Sequence, residues 1–219
     1  MSSFEPHLEI LPAPQQRLWL ELAEVPKHFV LYGGTALALR LAHRSSVDFD
    51  FFTSESFAPE ELLKAHPFLK NARILQQVSQ TLTVAVERGG TVKLSFFGGL
   101  SLGRVGQPQL TRDGVLKVAS LLDLAGMKAA VITQRAESKD YLDMLALLGH
   151  GITLPQAMAA AASIYGRQYN PAITLKSLAY FGDGDLHRLT VEQQGQLIRI
   201  ASAADLSLAD VPRIADVLS

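Results

Sequence analysis

Several features are missing from the sequence, and each absence narrows the chemistry that the chain can perform. The 219 residues contain no cysteine, which excludes disulfides and thiolate metal sites and suits a reducing compartment. No stretch approaches the roughly eighteen unbroken apolar residues of a membrane span. The N-terminal MSSFEPHLEI lacks the basic flank and the apolar core of a signal peptide. We therefore expect a cytoplasmic protein without a membrane partner.

A strong net charge is also missing. Lysine and arginine total 20 against 21 aspartates and glutamates, so no overall basic field attracts nucleic acid. A polyanionic partner would need a local basic patch. The hydrophobic content of 48% is that of a globular protein with a substantial core.

The order of apolar patterns predicts an α/β first part and a helical second part. HFVLY and VDFDFF have the composition of buried strands, and a helix begins between them near Thr35. TLTVAVERGGTVKLSFF contains two alternating runs joined through Gly89-Gly90, which is a strong hairpin signal. Beyond Ser120 the patterns are helical. We expect an α/β domain over residues 1–115 and a helical domain over 116–219 that packs on it and completes a cleft.

Two aspartates stand inside the apolar second strand. Residues two apart in a strand share a face, so Asp48 and Asp50 should lie on one side, roughly 6 to 7 Å apart. Such neighbouring like charges destabilise a fold unless a positive charge offsets them, and aspartate is depleted from strands. A divalent cation would remove the repulsion. Oxygen ligands favour Mg²⁺ or Mn²⁺, which commonly bring phosphate oxygens with them.

A pair of glycines precedes these aspartates. A glycine turn that feeds a helix N-terminus, as at Gly33, Gly34 and Thr35, lets the backbone approach an anion and presents free N–H groups to it. Alone, Gly-Gly is most often a plain turn, and Asp-x-Asp can be a solvated strand face. The combination is more specific and predicts a nucleoside triphosphate (NTP) site.

The segments GGTALALRLAHRSSVDFDFF, DLAGMKAAVITQR and ESKDYLDMLALL resemble the successive motifs of the AbiEii/AbiGii toxin family, within the polymerase β-like nucleotidyltransferase superfamily. The resemblance covers residues 31 to 148 and implies an α+β fold, with a mixed sheet flanked by helices and followed by a helical C-terminal part. It further implies a metal-dependent toxin of a toxin-antitoxin or phage-exclusion system, which transfers a nucleotide from an NTP to an acceptor. tRNA is a candidate acceptor, and a cognate antitoxin is a candidate partner.

The resemblance also assigns roles to individual residues. It implies a nucleotide site formed by Gly33, Gly34, Thr35, Arg44 and Lys128, a metal pair formed by Asp48 and Asp50, and catalytic roles for Asp48, Asp50, Lys128, Asp140 and Asp143. Chemistry alone leaves alternatives open for the later motifs. Lys128 could reach toward phosphates or be solvated, and the whole role of Asp140 could be to favour a helix dipole.

One position departs from the superfamily pattern. Members usually carry a third carboxylate in a Lys-apolar-Asp segment, and this chain has Ser95 there. A two-residue turn at Gly89-Gly90 would pair Val84 with Ser95 and would point Glu87 to the opposite face, where it could not substitute. The third carboxylate helps to activate the attacking hydroxyl, so binding is better supported than turnover.

Two alternatives therefore remain. The chain could be an NTP-binding module with impaired turnover, or it could transfer the nucleotide to a small molecule, which its near-neutral charge allows. An RNA acceptor would be favoured by clustering of the basic residues Arg40, Arg44, Lys93, Lys128, Arg135 and Lys139 around one cleft.

Overall fold

The computed structural model describes residues 2–205, 208 and 210–218. The described chain divides into two compact units. The N-terminal unit comprises the residues up to 102, residues 107–120 and the segment from 216. The C-terminal unit comprises residues 103–106 and 121–215.

The N-terminal unit is built on one sheet, which in the described residues has eight strands. The strands are β1 (Ser3–Phe4), β2 (Val30–Tyr32), β3 (Asp48–Phe52), β4 (Arg73–Val78), β5 (Thr81–Glu87), β6 (Thr91–Phe97), β7 (Gln109–Thr111) and β8 (Lys117–Val118). Their spatial order is β1-β7-β8-β2-β3-β6-β5-β4. The helices of this unit are α1 (Ala13–Leu18), which continues as a 3₁₀ helix over Trp19–Glu24, α2 (Gly33–Leu41) and α3 (Pro59–Ala65). This mixed sheet with helices confirms the predicted α+β class.

The centre of the sheet is an aromatic layer. β3 pairs antiparallel with β2 and parallel with β6, and backbone hydrogen bonds join these three strands within the sheet. Phe49, Phe51 and Phe96 are fully buried there, and the rings of Phe51 and Phe96 stack with centroids 5.0 Å apart. Apolar burial of this kind is the main stabilising contribution in such a layer. It fixes β3 as the platform for the side chains that point to its other face.

The β5–β6 hairpin differs from the sequence prediction by one residue. Ser95 pairs with Thr83, and Glu87 pairs with Thr91. The predicted two-residue turn is wrong because Arg88 belongs to the connection as well, and its N–H donates to the carbonyl of Gly90 at 2.9 Å. Glu87 therefore shares a face with Ser95 instead of opposing it.

The C-terminal unit is helical. Its helices are α4 (Leu121–Ile132), α5 (Ser138–Gly149), α6 (Leu154–Tyr165), α7 (Pro171–Leu178) and α8 (Val191–Ala203). α4 and α6 pack closely through small residues: a Cβ at Gly126 would lie only 2.9 Å from the backbone of Ala160. Capping boxes at Thr153 and Thr190 satisfy the first N–H groups of α6 and α8.

Among the described residues, no single helix has the length and the hydropathy of a membrane span. Helix α5 and the segment 154–168 pass such a test only as a pair, and that pair is bent by 116° at its break.

Candidate functional site

A tight glycine turn connects the buried strand β2 to helix α2. Gly33 has a φ of +76°, which L-residues other than glycine adopt only with strain. A Cβ on Gly33 would lie 2.8 Å from Oδ2 of Asp50, and a Cβ on Gly34 would lie 2.7 Å from Nη2 of Arg44. The glycines therefore let the backbone approach both side chains. Four of the residues predicted for the nucleotide and metal sites meet at this turn.

The acidic strand alternates as predicted. Phe49 and Phe51 are fully buried on one face, whereas Asp48 and Asp50 are partly exposed on the other. Tyr32, the last residue of β2, pairs with Asp50. Asp50 therefore lies beside the end of the strand that leads into the glycine turn.

Lys93 on the neighbouring strand β6 lies beside this acidic pair, and sequence reasoning named it only among the basic residues that would favour an RNA acceptor. It pairs in register with Asp48, and its Nζ lies 3.2 Å from Oδ2 of that aspartate. The sequence argument left the repulsion between the two carboxylates to a bound ion alone. The structure corrects it, because the chain itself supplies one of the neutralising charges.

Thr35 holds the start of α2 against β3. Its side chain is fully buried, and its hydroxyl donates a hydrogen bond to the backbone carbonyl of Asp48. The hydroxyl is thus used within the protein, and Thr35 fixes the distance between the glycine turn and the acidic strand. Arg44 follows α2 and packs against Gly34, while its Nη1 donates to the carbonyl of Ser45 at 3.0 Å.

Ser95 pairs in register with Asp50, which is where the superfamily pattern has its third carboxylate. It is buried, with 2% of its surface exposed, and it offers a neutral hydroxyl. Glu87 lies on the same face but pairs four residues earlier along β6, at Thr91, which places it roughly 13 Å away along the strand. It cannot substitute for a carboxylate at Ser95, because it is too distant and not because it faces the wrong way.

The donor set fits one hard divalent ion. Mg²⁺ is commonly held by one or two carboxylates, with phosphate oxygens and water completing its octahedron. Asp48 and Asp50 supply two carboxylates on one partly exposed face, and Gly33 lets the backbone approach the Asp50 carboxylate more closely than a Cβ would permit. Within the described residues, no group of three or more His, Cys, Asp or Glu side chains is arranged to hold a metal. An ion here would therefore need oxygen ligands from a bound nucleotide.

The later motif residues form a cluster within the C-terminal unit. The Nζ of Lys128 lies 2.6 Å from Oδ1 of Asp140 and 2.6 Å from Oδ2 of Asp143. Both aspartates are fully buried, and Arg135 donates through Nε to Oδ2 of Asp140 at 2.7 Å. Lys128 is not solvated, because its ammonium contacts both carboxylates. These ion pairs stabilise the unit, and the catalytic roles that the resemblance implies for the three residues stay predictions.

The surroundings of Asp140 favour the ionised form of its carboxyl group. Burial alone would raise the pKa of Asp140, but the hydrogen bond from Arg135 and the charge of Lys128 outweigh it and hold that pKa below its ordinary value. Asp140 does more than favour the helix dipole, because Lys128 and Arg135 each donate a hydrogen bond to its carboxylate.

Two of the six basic residues considered for an RNA surface are used inside the fold. Lys128 is buried as described. Arg40 donates to Gln109 at 2.7 Å and lies over the ring of Phe4 at 4.1 Å. Burial lowers the pKa of Arg40 to about 10.

Asp123 lies in the first turn of α4 and is buried. Its carboxylate accepts from the backbone N–H groups of Val105 and Gly106, at 2.8 and 3.1 Å, and so anchors the segment 103–106.

Comparisons with known proteins identify a family, a relative and a solved structure to which this chain is similar. The family described as "Nucleotidyl transferase AbiEii toxin, Type IV TA system" matches residues 17–212. An uncharacterized protein of Aquifex aeolicus (strain VF5) is 35% identical over 158 residues, which are 71% of this chain and 74% of that protein. A crystal structure of an antigenic nucleotidyltransferase-like protein from Paracoccidioides brasiliensis superposes with a TM-score of 0.47 at 16% identity, and covers 80% of this chain and 84% of that one. Because the family match spans most of the sequence, the chain belongs to the AbiEii nucleotidyl transferase family of type IV toxin-antitoxin systems.

Proposed function

We propose that this nucleotidyltransferase uses the Asp48 and Asp50 carboxylates to bind an NTP together with Mg²⁺ or Mn²⁺, and transfers the nucleoside monophosphate to an acceptor hydroxyl. The observation that carries the proposal is the convergence of a positive-φ glycine turn, two carboxylates and an arginine at one place. Family membership supports the reaction class, whereas the metal requirement and the acceptor are proposed here.

The chain's own residues have distinct tasks in this reaction. The free N–H groups at the start of α2 and the Arg44 guanidinium offset the charge of the triphosphate. Asp48 and Asp50 orient it, and Thr35 keeps that pair at a fixed distance from the turn. A bound divalent ion would polarise the α-phosphate and neutralise its oxygens.

In the transfer itself, the acceptor oxygen forms a bond to the α-phosphorus while the bond from that phosphorus to the bridging oxygen breaks. The electron pair of that bond leaves with pyrophosphate, and the acceptor proton passes to solvent. Rate enhancement then comes from in-line positioning and charge neutralisation, without a covalent enzyme intermediate.

The experiment is to incubate the protein with each labelled NTP, Mg²⁺ and total tRNA, because the family resemblance implies tRNA as an acceptor. We expect label transfer from at least one nucleotide, and its loss in Asp48→Asn and Asp50→Asn. Lys64→Met is the matched control, because Lys64 is exposed on α3, outside the proposed site. Transfer that persists in Asp48→Asn would defeat the proposal, as would the lack of transfer to RNA and to a panel of small-molecule hydroxyl acceptors.

Ser95 favours a second candidate, an NTP-binding module with impaired turnover. The buried serine removes the carboxylate that would otherwise help to activate the acceptor hydroxyl. This candidate predicts NTP binding by calorimetry, no product, and a gain of product in Ser95→Asp. Turnover by the wild-type protein would exclude it.

The toxin description of the family also suggests a cognate antitoxin. We expect expression of the chain alone to slow growth and expression with its antitoxin to restore it. The Asp48→Asn variant should not slow growth, because the proposed toxicity requires transfer.

A further inference from the structure

The acidic strand β3 ends in an aromatic residue that shares a face with the two carboxylates. Phe52 is partly exposed together with Asp48 and Asp50, and the residues between them are buried. Because residues two apart in a strand lie on the same face, Phe52 is roughly 7 Å along the strand from Asp50. The strand therefore places a ring next to the proposed metal pair.

A second phenylalanine extends this aromatic face onto β6. Phe97, the last residue of β6, pairs in register with Phe52 and is also partly exposed. The two rings meet edge to face, with their centroids 5.2 Å apart. Tyr32, which is 1% exposed, stacks on Phe52 with centroids 5.1 Å apart. Phe52 is thus held between two rings, whereas Phe97 meets no other ring among the described residues.

The glycine turn and this aromatic row of Tyr32, Phe52 and Phe97 lie toward opposite ends of β3. β2 and β3 are antiparallel, with Tyr32 opposite Asp50. The chain that leaves β2 at the glycine turn therefore continues toward the start of β3, whereas Phe52 is at the end of β3. Arg44, which packs against the turn, also precedes β3. The acidic pair consequently stands between the phosphate-binding groups and the two phenylalanines.

This order along the strand matches the chemical order of a nucleotide. In the proposed function the turn and Arg44 offset the charge of the triphosphate, and the acidic pair acts at the α-phosphate. The ribose and the base follow the α-phosphate on the side away from the other two phosphates. A base attached there comes within reach of Phe97, and stacking requires only an accessible aromatic face.

We propose that Phe97 stacks on the base of the bound NTP, and that Phe52 fixes the orientation of the Phe97 ring. The inference rests on the proposed function, because it places the base of the same nucleotide. Since every base has an aromatic face, this contact favours nucleotides over inorganic triphosphate without selecting one base.

The test compares two probes by calorimetry in the presence of Mg²⁺: non-hydrolysable analogues of the common NTPs, and inorganic tripolyphosphate, which has no base. We expect the wild type to bind the analogues more tightly than tripolyphosphate. Phe97→Leu removes the ring and should weaken binding of the analogues about tenfold, while tripolyphosphate binds as before. Phe97→Tyr keeps the ring and should bind both probes as the wild type does.

Phe4→Leu is the matched control. It also removes a partly exposed ring, but from β1, which is at the far end of the strand order from the β6-β5-β4 side. It should change the affinity for neither probe. An equal loss of affinity for both probes in Phe97→Leu would overturn the inference, because it would show a general disturbance of the site.

A second measurement needs no substitution and keeps the inference testable if Phe97→Leu does not fold. In nuclear magnetic resonance spectra of the wild type with labelled phenylalanine, base protons of the bound analogue should show nuclear Overhauser effects to the Phe97 ring. The lack of such effects in a saturated complex would overturn the inference.

The outcomes separate this inference from the proposed function. Equal affinity of the wild type for the analogues and for tripolyphosphate would overturn the base contact and leave nucleotidyl transfer intact. A Phe97→Leu defect confined to the KM for an RNA acceptor would also overturn it, because the ring would then contact a base of the acceptor. A wild type that binds neither probe would overturn both proposals.

Discussion

Replacing the buried Lys128 with methionine tests whether the cluster in the C-terminal unit is structural. The lysine side chain is 9% exposed, and its ammonium lies 2.6 Å from each of two carboxylates whose side chains are 0% exposed. Removing one partner of a buried ion pair leaves the other charge poorly compensated, which typically costs about 3 to 5 kcal/mol. Arg135 still binds Asp140 in the variant, so we expect a loss within that range and not above it.

The assay is urea unfolding followed by far-ultraviolet circular dichroism, with thermal unfolding in parallel. For a chain of this length, a loss of that size lowers Tm by about 6 to 20 °C. Lys139→Met is the matched control, because Lys139 is 52% exposed in its pair with Glu137 and its loss should cost no more than about 1 kcal/mol. Adding Asp143→Asn to Lys128→Met should recover part of the lost stability, since it removes a buried charge.

A free energy of unfolding for Lys128→Met within about 1 kcal/mol of the Lys139→Met value would refute the structural role. If that stable variant also failed to bind NTP, Lys128 would instead have the nucleotide contact that the family resemblance implies.

Three further predictions follow from single contacts. Gly33→Ala and Gly114→Ala should each lower the free energy of unfolding in urea by about 1 to 2 kcal/mol, because both positions have positive φ. Only Gly33→Ala should also weaken Mn²⁺ binding, since its Cβ would displace the Asp50 carboxylate. Equal Mn²⁺ affinities of the two variants would contradict this. Thr35→Val should lose about 1 kcal/mol with its hydrogen bond to the β3 backbone, whereas Thr35→Ser should keep most of that stability and bind Mn²⁺ as the wild type does. The lowered pKa of Asp140 contributes stability at neutral pH that is lost as the pH falls through that pKa, below the ordinary value of 3.8. Urea unfolding of Asp140→Asn should therefore show less stability at pH 7 and a shallower decline below pH 4, and parallel pH profiles would refute it.

Sequence reasoning works best here where the signal is local. The alternation of Asp48 and Asp50 with two buried phenylalanines depends only on the period of a strand, and the glycine turn depends only on two adjacent residues. Both features stand in the structure as the sequence indicates. The two aspartates and the glycine turn also form the proposed site.

The features that sequence reasoning missed depend on contacts between distant segments. Lys93 meets Asp48 because β6 pairs with β3 although they are not consecutive strands. The available signal was that Lys93 lies two residues before Ser95 and so shares its face. Lys128 becomes buried because the next helix, α5, supplies two carboxylates to it, which no pattern within α4 reveals.

The hairpin shows how a single residue changes an inference. Counting only Gly89 and Gly90 as the turn gave a register one residue away from the observed pairing. Because side chains alternate, that error moved Glu87 to the wrong face.

The most direct test of the central claim, that Asp48 and Asp50 hold a divalent ion beside the glycine turn, is anomalous diffraction from crystals soaked with Mn²⁺ and a non-hydrolysable NTP analogue. We predict a manganese peak in contact with both carboxylates, about 2.0 to 2.2 Å from their oxygens, with phosphate oxygens completing its coordination. A nucleotide bound elsewhere, or density for the analogue without manganese at these two aspartates, would contradict the claim.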